Sequence, residues 1–297
     1  MRATLWLGLF AASSGFCQPL QVLLHTRIHA VQGTVSLYAK NLDTGAAVGI
    51  HDNEPVRTAS TIKVPIMATV YDAVARGQAK WTDPLILTAT ERVSGSAILA
   101  GEVSDGDEFS LRTALNLMIM LSDNTATNMI LQRFPTDAVN AYLDRIGIPT
   151  TRSLRKVRGD GPDLPSTAGF SAAGKLPENE KYGLGVSTAR DMVAILEKLE
   201  RGELVSKEAS RDMLGVMKRC QDASGIRRRL GDLPIANKTG SLDALRSDIG
   251  IVYSKGGRIA MAITVDGMPK IDYSPNNPGS LLIADVAKML VDGLSTK

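Results

Sequence analysis

Arg57-Thr58-Ala59-Ser60-Thr61-Ile62-Lys63-Val64-Pro65 leads into an apolar pattern, Ile62, Ile66, Met67, Val70, Tyr71 and Val74, spaced by threes and fours. That spacing predicts a helix from Ser60 to about Arg76. Pro65 falls early in it, removes one backbone donor and leaves the first turn irregular. Residues three apart on a helix share a face, so Lys63 is expected beside the Ser60 hydroxyl. A serine hydroxyl needs a neighbouring base before it attacks a carbonyl. The histidines, His25, His29 and His51, all lie upstream of this serine, near the N-terminus. Ser60 and Lys63 are therefore the candidate nucleophile and base.

A single Ser-x-x-Lys match is weak, because a chain of this length holds about one by chance. Ser153-Leu154-Arg155-Lys156 matches too. A capping serine with a solvated lysine is the plainer account of either. Two further strings lie behind Ser60. Ser122-Asp123-Asn124 ends an apolar stretch predicted as a helix from Ser110 through Met120. Lys238-Thr239-Gly240 immediately precedes the C-terminal strand patterns, Ile249 to Tyr253 and Arg258 to Val265. Each string is common alone, and their order and contexts give them weight.

The remaining pattern predicts an α/β chain of the α+β type. An antiparallel sheet is built from both chain ends and flanked by helices, with an all-helical lobe inserted between. Val35 to Ala39 alternates, Asn41 to Gly45 reads as a turn and Ala46 to Ile50 as a second strand, so a hairpin is expected. Helices are expected over Thr125 to Gln132, Val139 to Ile146, Thr188 to Leu199 (capped by Ser187 or Thr188) and Leu281 to Leu290. Thr88 to Phe109 and Thr151 to Gly185 read as long loops. The sheet lobe covers about 18–58 and 205–297, and the helical lobe about 59–204. A basic start, the apolar run Thr4 to Ala12 and small residues before Cys17 give residues 1–17 the layout of a signal peptide. The run is too short to span a bilayer. Export to the periplasm or beyond is expected, with one catalytic domain over 18–297. A lipid anchor on Cys17 is the rival, opposed by bulky Phe16.

With its three motifs in this order, the chain resembles the class A β-lactamase-like serine hydrolases of the β-lactamase and penicillin-binding protein superfamily. The likeness runs from the Val35 hairpin to the terminal helix. It rests also on Met118-Ile119-Met120-Leu121-Ser122-Asp123-Asn124-Thr125-Ala126-Thr127-Asn128 and on Lys238-Thr239-Gly240-Ser241-Leu242. It implies that Ser60 attacks a carbonyl while Lys63, its pKa lowered by burial or by Lys238, takes the proton. Ser122 would relay a proton to the leaving nitrogen, and Asn124 would bind substrate and Lys63. Backbone N–H groups of Ser60 and Ser241 would form the oxyanion hole. Lys238, Thr239, Gly240 and Ser241 would hold substrate, Lys238 through its carboxylate. Arg246 is a further carboxylate candidate, since its fork suits that group. An ion pair with Asp248 or a loop acid is the alternative.

One expected motif is missing. Class A enzymes carry Glu-x-x-Leu-Asn between the second and third motifs, and its glutamate activates the water that frees the acyl-enzyme. Here Leu-Asn occurs at Leu115-Asn116, ahead of Ser122. The corresponding region, Arg152 to Asp160, is basic, and Arg152, Arg155, Lys156 and Arg158 are expected to form a solvated face. Nearby acids are Asp160, Asp163, Glu178 and Glu180, with Glu180 the nearest to the Gly185-Val186-Ser187-Thr188 stretch. The implied activity is a secreted hydrolase that opens β-lactam amides. A peptidase or esterase acting on cell-wall peptides, and a β-lactam-binding module that releases its acyl group slowly, remain alternatives.

Composition excludes other classes. The 297 residues carry 34 basic and 31 acidic side chains, a net charge of +3, with no basic stripe interleaved with aromatics. That argues against a nucleic-acid partner. Cys17 and Cys220 are the only cysteines, and without the leader Cys220 is single, a buried apolar filler. No Cys/His cluster has metal-ligand spacing, so neither metal nor cofactor is expected. A monomer acting on a small-molecule or peptide substrate is the expectation.

Overall fold

The hairpin expected at Val35 nucleates the sheet. In the computed structural model, which describes residues 17–93, 98–158 and 169–295, β1 (Thr34–Asn41) pairs with β2 (Ala47–Ile50). Asn41 Oδ1 accepts the N–H groups of Asp43 and Thr44, which closes the turn. On its other side β1 pairs with β10 (Gly257–Asp266), then come β9 (Leu245–Ser254) and β8 (Ile235–Leu242). The result is a five-stranded antiparallel sheet in the order β2-β1-β10-β9-β8. Residues 1–16, the Cys17 side chain, Asp160 and Asp163 lie outside the described residues, so the leader reading does too.

Side chains alternate across a strand, and β10 uses both faces. Ile259, Met261, Ile263 and Val265 join a core with Leu20 and Leu24 of α1 (Cys17–Ile28) and Leu282, Val286 and Leu290 of α8 (Pro278–Leu294). Ala260 and Ala262 face the other way, where their small side chains admit α6 (Ala189–Arg201). A strand buried on both faces reads as a continuous apolar run. α8 is longer than its periodicity suggests, because Asn277 caps it by accepting the N–H groups of Gly279 and Ser280.

The second core lies among α2 (Lys63–Ala75), α3 (Leu111–Met120), α4 (Asn124–Arg133), α5 (Thr136–Arg145) and α7 (Lys207–Lys218). Ser110 Oγ caps α3 by accepting the Thr113 N–H at 3.1 Å, and Thr188 caps α6 through the Asp191 N–H at 3.0 Å. Among the described residues no helix is long and apolar enough to cross a membrane.

Three local departures position the site. Ala59–Ile62 form a 3-10 turn and α2 starts only at Lys63. Pro65 then occupies the first turn of α2, where N–H groups have no helical acceptor and its missing donor costs little. The segment expected to be loop from Thr88 to Phe109 is closed at its ends by β4 (Pro84–Ile86) and β5 (Glu108–Ser110). Finally β3 (Val56–Arg57), β7 (Gly185–Ser187) and β6 (Arg152–Ser153) form a small sheet in the order β3-β7-β6. This sheet carries the basic segment after Ser153 in towards the Ser60 turn.

Candidate active site

Three chain segments meet at a cleft of ≈ 830 Å³. Ser60 comes from the 3-10 turn, Ser122 and Asn124 from the junction of α3 and α4, and Thr239 to Ser241 from β8. Lys238-Thr239-Gly240 thus lies inside an edge strand, where the sequence reading has it precede the strands. Gly240 allows β8 its close approach. A Cβ there would stand 3.0 Å from the Ser60 nitrogen, the Thr58 carbonyl oxygen and the Ala59 Cβ. Ala59 (φ 46°) and Ser122 (φ 58°) both hold left-handed backbone, a conformation that non-glycine residues keep only where their surroundings impose it.

Two buried lysine side chains meet at one hydroxyl. Lys63 Nζ donates to the Ser122 carbonyl oxygen at 2.7 Å and to Asn124 Oδ1 at 2.7 Å, and lies 3.3 Å from Ser122 Oγ. Lys238 Nζ donates to the same Ser122 Oγ at 2.9 Å and to the Thr239 carbonyl oxygen at 2.8 Å. Both lysines are fully buried. Burial drives the Lys63 pKa well below the ordinary lysine value, the Lys238 charge pushes it further, and Asp123 opposes. Lys238 is lowered as well, by burial, against the pull of Cys220, Asp248 and Asp222. The contacts of Lys63 go to Ser122 and Asn124 rather than to Ser60. A neutral amine has two N–H groups. The two 2.7 Å acceptors use both, which leaves its lone pair available.

A fourth segment, between β6 and β7, adds a further wall. Val157 is pinned to α4 by two bonds: its N–H donates to Asn128 Oδ1 at 2.9 Å, and Asn128 Nδ2 donates to its carbonyl oxygen at 3.0 Å. Its neighbours Arg155 and Arg158 also line the cleft, which corrects the expectation that the whole basic cluster is a solvated face. Ser153, the competing match, is buried in β6 and its hydroxyl has no hydrogen-bond partner. Lys156 meanwhile reaches Gln132 Oε1 at 2.6 Å and stands 3.8 Å from Glu91. No Ser–Lys pair forms there.

Arg246 is not brought to the cleft lining. Its guanidinium donates to the carbonyl oxygens of Leu242 and Leu245, both at 2.6 Å, and of Asp272, and lies 4.8 Å over the Tyr273 ring. Neither a free carboxylate fork nor an Asp248 pair results. Glu180 lines the cleft and is exposed, and Glu178 is not part of that lining.

Two acids escaped sequence reasoning. Asp123 is fully buried; its Oδ1 caps α4 by accepting the Ala126 N–H at 2.8 Å, and its Oδ2 accepts the N–H groups of Ile98 and Leu99, each at 3.0 Å. An aspartate just ahead of a helix is a cap signal, so that half of its role was available. Asp222 lines the cleft. Burial pushes its pKa up, but the Ser224 N–H at 2.9 Å, the Ser224 and Thr239 hydroxyls and the Lys238 charge leave it below the ordinary value. No motif marks it.

A family model described as the beta-lactamase enzyme family matches residues 19–294. The beta-lactamase regulatory protein BlaB of Streptomyces cacaoi is 22% identical over 301 residues, covering 91% of this chain and 96% of its own. A beta-lactamase structure from Sphaerobacter thermophilus DSM 20745 is 26% identical, with 93% and 96% of the two chains covered and a TM-score of 0.78. A mutant of PBP-A, solved as an acyl-enzyme complex with penicillin-G, is 26% identical, with 92% and 95% covered and a TM-score of 0.76.

Proposed function

Because this chain belongs to the beta-lactamase enzyme family, we propose that it is an exported serine hydrolase of β-lactamase type, acylated at Ser60 and hydrolysing the β-lactam amide. The sharing of Ser122 Oγ between buried Lys63 and buried Lys238, beside a cleft-lining serine, carries this reading. Lys63, its pKa lowered by burial, takes the Ser60 hydroxyl proton as Ser60 Oγ bonds to the lactam carbonyl carbon. Backbone N–H groups of Ser60 and Ser241 hold the oxyanion that forms. As the C–N bond breaks, Ser122 Oγ gives its proton to the leaving nitrogen and regains one from the Lys63 ammonium. Lys238 and Thr239 hold the substrate carboxylate on the nitrogen side, with Asn124 and Gly240 fixing the amide. Water then cleaves the acyl ester. Export rests on the leader-like N-terminus, and its check is the mature N-terminal mass of the secreted protein.

The wall between β6 and β7 favours a second reading, a module that is acylated and released slowly. Val157 lines the cleft between Arg155 and Arg158 and, being apolar, supplies no base there. Among the described residues the cleft-lining carboxylates are Asp222, held by Ser224 and Thr239, Asp243, held by the Tyr273 hydroxyl at 2.7 Å, and Glu180, which is the candidate to hold water. Mixing the protein with a chromogenic cephalosporin separates the readings. Sustained turnover supports the lactamase, and a burst of about one equivalent that stops supports the slow module. Absence of acylation sinks both and leaves a peptidase or esterase acting on cell-wall peptides. If turnover is sustained, Glu180→Gln should accumulate acyl-enzyme, and unchanged turnover removes Glu180 from water activation.

A further inference from the structure

The basic cluster after β6 divides into two kinds of side chain. Arg152 pairs with Asp144 at 2.6 Å, and Lys156 is taken up by Gln132 and Glu91. Arg155 and Arg158 are different, since both line the cleft. Among the described residues Arg155 makes one long hydrogen bond, to the Lys156 carbonyl oxygen at 3.3 Å. The Nε and Nη2 of Arg158 are buried without a hydrogen-bond partner, and its guanidinium lies 5.2 Å over the Phe170 ring. Burial and the Arg158 charge both push the Arg155 pKa down, and no carboxylate among the described residues offsets them. Two neighbouring guanidinium groups, partly desolvated and with no carboxylate partner among the described residues, are costly unless an anion joins them. A carboxylate suits them, because the arginine fork can donate two parallel bonds to its oxygens.

We propose that Arg155 and Arg158 form a second anion subsite of the cleft, which takes a carboxylate carried on the acyl side of the substrate. The inference rests on the β-lactam reading above. Ser122 protonates the leaving nitrogen and contacts Lys238, so the nitrogen half of the substrate lies towards β8. The acyl substituent then extends to the other wall, where Arg155 and Arg158 stand with Lys181, which also lines the cleft. The favoured substrates are thus dianions with one carboxylate at each end: β-lactams with a carboxylated side chain rather than a neutral one.

Calorimetric titration of the full-length Ser60→Ala protein with benzylpenicillin and with carbenicillin, which adds a carboxylate to the same side chain, tests this directly. Carbenicillin should bind about tenfold more tightly, the gain of a hydrogen-bonded charge pair. The ratio of the two affinities should fall to about one when Arg158→Gln is added and recover in part with Arg158→Lys. Should Arg158→Gln fail to fold, Arg155→Gln serves the same purpose. Equal affinities, a ratio that ignores both arginines, or binding of neither penicillin would overturn the subsite. Failure of the parent reading shows elsewhere, as absence of acyl-Ser60 in the mass spectrum of wild-type protein treated with either compound.

Discussion

Replacing Asp248 with asparagine should stabilise the fold in alkali and not in acid. Asp248 is fully buried on β9, opposite Thr239 of β8. Burial pushes its carboxyl up to about 7, helped by Asp222. Hydrogen bonds from the Ile226 N–H at 2.8 Å and from Asn237 Nδ2 at 3.0 and 3.2 Å oppose the rise, as does Lys238. The unfolded chain ionises this group near 4. Between about pH 4 and 7 the folded protein therefore keeps a proton that the unfolded chain has released, and stability falls as pH rises through that window. Roughly three pH units at ~1.4 kcal/mol each give on the order of 4 kcal/mol by pH 8. Asparagine cannot ionise and keeps an oxygen for Ile226. Its NH₂ would meet the Asn237 amide, which is held by Arg227 Nε at 2.6 Å, so one hydrogen bond worth ~1 kcal/mol is lost at every pH. Urea melts at pH 4.5 and 8.5 should show Asp248→Asn slightly weaker than wild type in acid and about 3 kcal/mol stronger in alkali. A difference from wild type that is the same at both pH values would refute the reasoning.

Ser60→Ala should abolish labelling by a fluorescent penicillin while Ser153→Ala retains it, and label on the first variant would remove Ser60 as nucleophile. Acylation requires neutral Lys63, so its rate should climb with pH through the Lys63 pKa. Lys238→Gln removes a cation that lowers that pKa and should move the climb to higher pH; an unmoved limb means that Lys63 is not the titrating base. Gly240→Ala puts a Cβ 3.0 Å from the Ser60 nitrogen. Acylation should fall at least about tenfold and stability by ~1–3 kcal/mol, and acylation at the wild-type rate would show that β8 can yield.

The parts of the site that were legible are those in which one short string carries its own context. Ser60 and Lys63 share a turn, and Ser122 follows a clear apolar helix. β8 was not legible as a strand because Asn237, Lys238 and Thr239 are polar yet buried. Asp248 and Ser122, remote in sequence, satisfy the first two. Arg155 and Arg158 reach the cleft through pairings of two residues each, too short for any periodicity to register. Arg246 was misread because its acceptors are carbonyl groups from the 242–245 turn and the loop at Asp272, and a sequence gives carbonyls no address. The sheet itself was legible, since Ile259 to Val265 is apolar enough to announce burial on both sides.

Left-handed backbone at Ala59 and at Ser122 touches both serines proposed to act in catalysis, one from the residue before it and one at the serine itself. Such a conformation costs roughly 1–2 kcal/mol for a residue with a Cβ, and the folded scaffold supplies it before any ligand arrives. The reacting groups are thus preorganised, and a substrate need not bend the cleft into shape on binding. The same arrangement narrows what mutation can try. Valine, isoleucine or threonine at 59 would deepen the strain in the turn that carries Ser60, so substitution there is confined to glycine and to short side chains that tolerate the left-handed region.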